Sequence, residues 1–435
     1  MSLVRRLASR SILIFAARLL GAGLIFVLQI AIARLWGAAV LGDFILAIAA
    51  ASILAVVIPL GYQTVGAYFT ALYSSRSDGH MLRRFLVQSY GHVLVVGTLV
   101  VALGWVGTFP MGETGAHLRS VWTPTALIAL SSAVLYVNST TLIGMKQPFL
   151  GYGADMLVRP IVMLGLFAVV ILLTDGAQLS LLLWLIAGGT TAICIVHLGV
   201  MAQFVRTVPR AEPRRPAEFG LWWRFAAPWV FITLASDYFF DLNLLMLAGL
   251  LDRTDLAVFG VSTRIFALVS FGIVTVYSLT LPDMFEADRA SDTTAFGRRV
   301  GEANLVATLL AFGLFAGVAL FGRYALALFG DEFVAGSGPL SILCLALVVR
   351  AMFGPASLVL SMHDQPAASL PAVGLGILAL VAGNYLLVPQ HGLMGAAVSA
   401  FTAITLWSFA LWFTALRRAK VDVSLLARFR ARAAA

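Results

Sequence analysis

Apolar residues run along this chain in long unbroken blocks rather than in alternation, with short polar segments between them. Twelve blocks stand out, at residues 11–33, 40–62, 84–108, 121–143, 154–174, 179–204, 222–247, 256–280, 301–322, 338–361, 368–388 and 393–416. Each is about 20 residues or longer, the length an α-helix needs to cross a bilayer. A membrane β-barrel would show shorter segments of alternating polarity, so the pattern predicts helices. The first block follows Arg5, Arg6 and Arg10 and has the look of a secretory signal. It continues to Ala33 with no small-residue cleavage site, and is read as the first span.

The connector at 205–220 is rich in Pro and Arg and divides the blocks six and six, predicting lobes over residues 1–210 and 211–435. The halves share local features. Ala33, Leu35, Leu41 and Phe44 recur at the same spacing as Ala248, Leu250, Leu256 and Phe259. Met145-Lys146-Gln147-Pro148 has its counterpart in Met362-His363-Asp364-Gln365-Pro366, each between a fourth and a fifth block of its half. The expected fold is therefore an all-α polytopic membrane protein. About 12 transmembrane helices would form two pseudo-symmetric six-helix lobes around a central cavity, related about the membrane normal.

Composition agrees. The chain has 435 residues, 61% hydrophobic and 11% charged, with a mean hydropathy of +0.97. Soluble domains carry about a quarter charged residues. The net charge of +9 would point to nucleic acid in a soluble protein. Here its distribution explains it. With the N-terminus cytoplasmic, that side holds 20 Lys and Arg residues against four, Arg34, Arg119, Arg253 and Arg323, on the other. The positive-inside rule then places both termini in the cytoplasm, and no nucleic-acid partner is expected. Cys194 and Cys344 lie inside blocks without metal-ligand spacing and read as small buried hydrophobes. There is no HExxH, no Walker loop and no clustered His and carboxylate set, so neither a catalytic site nor a metal site is expected. No cofactor is expected beyond a coupling ion, H+ or Na+.

Five arginines fall inside the blocks: Arg18, Arg159, Arg224, Arg264 and Arg350. A charge at membrane depth costs a few kcal/mol or more, so it faces a cavity or a partner. Cations outnumbering acids within the spans point to a transporter with anionic cargo. Arg224 stands beside Trp222 and Trp223, as an interfacial anchor would, and Arg159 follows Asp155 by one helical turn, in the order that favours an ion pair. On a helical wheel Arg18 shares a face with Ser11 and Gln29, Arg264 with Thr275 and Ser278, and Arg350 with Ser357. Arg350 is expected near the middle of its span, beyond easy reach of either interface. Each of these three either lines a polar cavity or ties helices together. Asp237 and Asp241, one turn apart in the seventh block, are candidates for ion coupling, because two carboxylates on one face favour protonation of one. Pairing with an intramembrane arginine would account for them equally well.

Several motifs carry a family resemblance. Ala33-Arg34-Leu35-Trp36-Gly37 leads to Leu41-Gly42-Asp43-Phe44, and Leu328-Phe329-Gly330-Asp331-Glu332-Phe333 opens the tenth span. Asn384-Tyr385-Leu386-Leu387-Val388-Pro389 is followed by His391-Gly392-Leu393-Met394-Gly395-Ala396-Ala397. With these the chain resembles the Wzx-type polysaccharide biosynthesis flippases of the multidrug/oligosaccharidyl-lipid/polysaccharide exporter (MOP) superfamily. It departs from them at Asp252, Arg253 and His391. The resemblance implies alternating access and a cargo of undecaprenyl-pyrophosphate-linked oligosaccharide, carried across the bacterial inner membrane for surface or exopolysaccharide synthesis. It also implies membrane lipids and a polysaccharide polymerase as partners. Arg18, Arg264 and Arg350 would hold the pyrophosphate, with Gln29, Asn138, Ser139, Thr140 and Tyr238 near the sugar. An ion-coupled multidrug antiporter of the same fold is the main rival, kept alive by Asp237, Tyr238 and Asp241. A major facilitator porter and a membrane glycosyltransferase are more distant ones.

Overall fold

The structure, a computed structural model, describes residues 3–107, 112–209, 218–289, 293–363 and 365–425. Fifteen helices account for most of these residues: α1 (Leu3–Trp36), α2 (Ala38–Val57), α3 (Tyr62–Ser75), α4 (Gly79–Gly107), α5 (Gly112–Gly144), α6 (Pro148–Gly153), α7 (Arg159–Leu173), α8 (Leu179–Thr207), α9 (Phe219–Ser236), α10 (Phe239–Leu247), α11 (Arg253–Arg289), α12 (Thr293–Ala327), α13 (Ser337–Phe353), α14 (Ala356–Met362) and α15 (Leu370–Arg418). A π-helical turn, Ala154–Val158, joins α6 to α7, and 3-10 turns at Asp331–Gly336 and Pro366–Ser369 lead into α13 and α15. Among the described residues ten helical stretches are long and apolar enough to cross a bilayer, and the bent pair α9–α10 makes an eleventh. The 49 residues of α15 would extend about 74 Å if straight, against a hydrocarbon core of about 30 Å. Gly392 (φ 52) takes a non-helical conformation and divides α15 into two arms, each long enough for a span. The result is the expected all-α polytopic chain with twelve spans.

Three spans are broken where a continuous helix was expected. The second ends early. Pro59 follows α2, Leu60 and Gly61 take left-handed φ values of 53 and 85, and the chain resumes as α3 through Ser75, beyond the predicted limit. The Gln63 side chain donates to the carbonyl of Val56 at 3.0 Å, satisfying an acceptor that the helix end leaves free. A Cβ at Gly61 would lie 2.0 Å from the Ala226 carbonyl oxygen, so glycine both makes the turn and admits α9. The seventh span bends by 67° between α9 and α10. The tenth stops at Gly354 (φ 78) and Pro355 before continuing as α14.

By internal contacts the chain forms two compact units. Unit 1 is Met1–Trp36 with Asp43–Leu242, and unit 2 is Gly37–Gly42 with Asn243–Ala435. In unit 1, α5 packs on α3, α4 and α8, α7 packs on α1 and α8, and α9 lies against α3. Its aromatic core joins Phe69, Phe85 and Trp222, with Phe85 and Trp222 edge to face at 5.4 Å. Trp222 is fully buried and donates to the Tyr73 hydroxyl at 2.7 Å. The expected lipid-interface role therefore fails for Trp222, while Trp223 and Arg224 beside it are exposed. The flanks of the polar connector dock on one corner of this unit. Gly79 N–H donates to the Pro209 carbonyl at 2.8 Å, and the Tyr73 hydroxyl donates to Glu218 at 2.9 Å.

In unit 2, α13 packs on α12, α11 and α15, and α14 lies against α15. The Leu328–Phe333 motif turns out to be structural. Phe329 and Phe333 are fully buried, 5.5 Å apart, and Gly330 makes the turn between them. The Met145–Pro148 and Met362–Pro366 segments each carry the chain from a helix end to a proline-started turn of helix; Asp364 lies outside the described residues.

Candidate functional site

Unit 1 contains a buried polar network built on the π-helical turn. Such turns insert one residue into a helix and recur at functional sites. Here the turn carries Asp155 and is followed directly by Arg159, whose guanidinium contacts the Asp155 carboxylate at 3.1 Å, with side-chain exposures of 11% and 33%. The ion pair read from the spacing is present. Tyr136 on α5 lies within electrostatic reach of Asp155 and Arg159, and Tyr238 within reach of Tyr136 and Asp241. His197 of α8, within electrostatic reach of Asp155, donates to the Leu150 carbonyl at 3.0 Å. Residues of α5, α8 and the α9–α10 bend are therefore electrostatic neighbours of this pair of opposite charges.

The bend at α9–α10 changes the reading of the two acids. Asp237 caps the end of α9 and is exposed, whereas Asp241 is 7% exposed in the first turn of α10. They lie on either side of a 67° bend and not on one continuous helix, so the one-face spacing read from the sequence does not hold. Asp241 instead stands where the helix dipole favours a carboxylate. Arg18 and Gln29 both belong to α1, but in different surroundings. Arg18 is exposed and Gln29 is buried, with its Oε1 lacking a hydrogen-bond partner. Ser11, on the same predicted stripe, has no described side chain.

Unit 2 holds the other two arginines. Arg264 is half-buried on α11, where Thr275 turns its hydroxyl back onto the Phe271 carbonyl at 2.9 Å rather than extending a polar stripe. Ser278 has no described side chain. Arg350 lies well inside the stretch Asp331–Met362 that is long and apolar enough to span, but beside its break. It occupies the last turn of α13, three residues before its end, and the break at Gly354 takes Ser357 onto a separate helix. A cation there complements the negative end of the helix dipole. Its guanidinium lies 5.6 Å over the Trp407 ring, and it acts electrostatically on the Tyr277 hydroxyl. Tyr277 donates to Asn304 at 3.0 Å. Elsewhere in the unit Asn384 donates to Asn243 at 2.7 Å with both side chains fully buried, which gives the asparagine of the Asn384–Pro389 motif a packing role.

Sequence reasoning missed Tyr136 and Asn304 as parts of these networks, and placed Asn243 beside Asp237 and Asp241 rather than against Asn384. Single polar residues in apolar blocks carried no spacing signal that could single them out. Cys194 and Cys344 are buried free thiols. Among the described residues no group of three or more His, Cys, Asp or Glu side chains is placed to hold a metal.

No protein-family model matches the chain, and no curated protein matches it either. Solved structures do. An inward-facing multidrug resistance MATE family transporter of the MOP superfamily aligns with a TM-score of 0.65 at 15% identity, covering 96% of this chain and 94% of that one. The lipid II flippase MurJ, in an inward closed conformation, aligns with a TM-score of 0.72 at 13% identity, over 97% and 91% of the two chains. A MOP superfamily transporter from Pyrococcus furiosus, described as having a binding pocket of reverse polarity, aligns at 0.60 and 16% identity over 97% and 93%. The chain has the fold of the MOP superfamily transporters along nearly its whole length.

Proposed function

We propose that this protein is an alternating-access transporter in a bacterial inner membrane, with both termini cytoplasmic, and that it flips an undecaprenyl-pyrophosphate-linked oligosaccharide for surface or exopolysaccharide synthesis. The six-helix lobes would be 1–210 and 211–435. The observation that carries the cargo assignment is the sign of the intramembrane charge. Arg18 and Arg350 are exposed within apolar spans and Arg264 is half-buried. A diphosphate moving through a low-dielectric path needs such cations. Gln29 and Tyr238 would meet the sugar. Asp237 and Asp241 would carry the coupling ion, H+ or Na+. Membrane lipids and a polysaccharide polymerase would be the partners.

Fold favours a second reading, an ion-coupled multidrug antiporter. Multidrug transporters recur among the solved structures of like fold, and Asp155 and Asp241 beside Tyr136 and Tyr238 supply groups suited to an organic cation. At 13–17% identity these likenesses carry the fold and not the cargo, so charge decides our order. Purified protein in proteoliposomes tests both. The flippase reading expects movement of a lipid-pyrophosphate sugar that is lost when Arg18, Arg264 and Arg350 are all changed to Ala. Full flipping by that triple variant, or cation efflux without lipid movement, overturns it.

A further inference from the structure

The last described residues fold back onto unit 2. After α15 ends at Arg418, Lys420 takes a left-handed φ of 56, and the chain returns through 419–425 as a strap. Val423 is 0% exposed, packed in the cluster of Met284, Phe296, Val300 and Ala303. Asp422 fixes the strap's shape, accepting from Trp412 at 2.9 Å and from the Ser424 backbone and hydroxyl at 3.0 and 2.8 Å.

The strap's contact with α12 and α13 has a further consequence. The amide of Asn304, fully buried on α12, donates to the Val423 carbonyl at 3.0 Å and reaches the Met352 carbonyl at 3.4 Å. Met352 lies in the final turn of α13, whose carbonyls have no partner within the helix. A Cβ at Gly354 would stand 1.9 Å from the Val423 carbonyl oxygen, so the strap fills the space opened by the break in the tenth span. The oxygen of Asn304 meanwhile accepts from Tyr277, the tyrosine on which Arg350 acts. One asparagine thus joins the strap, the end of α13 and the Tyr277 hydroxyl, and Arg350 projects from that same end of α13.

We propose that Asn304, Tyr277 and the C-terminal strap are positioning elements for Arg350, holding its guanidinium in one orientation toward a diphosphate ligand. This rests on the reading of Arg350 as an anion-binding residue. A guanidinium binds phosphate best through two parallel N–H donors, a geometry that is lost if the turn bearing it can rotate. Trp407 supports one face of the group, and the Asn304 network fixes the backbone beneath it.

The test is calorimetric titration of the purified full-length protein with inorganic pyrophosphate. Asn304→Leu and Tyr277→Phe are each expected to weaken binding by about three- to tenfold, the worth of a hydrogen bond or two. In combination with Arg350→Ala neither is expected to weaken it further, because residues acting through one group are non-additive. A purely structural role would lower the melting temperature and leave the pyrophosphate affinity, or its additivity with Arg350→Ala, untouched. That result overturns the inference while leaving Arg350 as a ligand. If Arg350→Ala binds as tightly as the parent, or the parent binds no pyrophosphate, the inference and the place of Arg350 in the proposed function both fall. Should Asn304→Leu fail to fold, Tyr277→Phe, which removes one hydroxyl, decides alone.

Discussion

Changing Asp155 to Asn isolates the energetics of the charge network in unit 1. The substitution preserves shape and leaves Arg159 in an apolar span without its carboxylate, now 3.1 Å from its guanidinium. Removing one partner of a buried pair destabilises by about 3–5 kcal/mol. Two features reduce that figure here. Asp155 is 33% exposed, so solvent already screens part of the attraction. Tyr136 also stays beside Arg159 as an electrostatic neighbour. The expected loss is about 2 kcal/mol, or roughly 5 °C in melting temperature for a unit of this size. The assay is thermal unfolding of the detergent-purified protein near neutral pH. Asp155→Asn/Arg159→Met removes both charges and should recover most of the loss, since a buried pair replaced by apolar groups is often neutral. A single variant as stable as the parent, or a double variant worse than the single, would refute the view that Asp155 is there to neutralise Arg159.

Two further substitutions bear on the packing. Gly61→Ala should destabilise by about 2 kcal/mol or more, from strain at a left-handed φ and from collision with the Ala226 carbonyl. Gly165→Ala, where a Cβ meets nothing within 4 Å, is the control and should stay within about 0.5 kcal/mol of the parent in the same melt. Asn384→Leu takes the donor from the buried oxygen of Asn243 and should cost about 1–3 kcal/mol. Adding Asn243→Leu should recover part of it, and equal or greater loss in the pair would contradict the hydrogen-bond reading.

Much of the fold could be read from hydropathy because a spanning helix must satisfy its backbone internally and face lipid, which forces long apolar runs. The Asp155–Arg159 pair was readable for a similar reason: four residues make one helical turn, and a buried arginine needs a carboxylate. Helical wheels failed wherever the helix was not continuous. Gly354-Pro355 is a breaker dipeptide that carried the warning in its residue types, and heeding it would have separated Arg350 from Ser357. Ser236-Asp237-Tyr238 contains neither Gly nor Pro, so the bend that separates Asp237 from Asp241 left no local mark. Tyr136 and Asn304 were illegible for a different reason. Each acts through partners distant in sequence, and a single polar side chain in an apolar run does not name its partner.

The docking of the connector's two flanks, Pro209 against Gly79 and Glu218 against Tyr73, alters what the segment between them can do. A spacer held at one end sets how far its cargo may stray, and its length is then under selection as a distance. Anchors that hold both flanks at one corner fix where the chain leaves and rejoins this unit, whatever the length between them. Residues added or removed between those anchors should leave the helices on either side where they are. Natural variation, or an inserted label, should therefore find this stretch among the most forgiving in the chain.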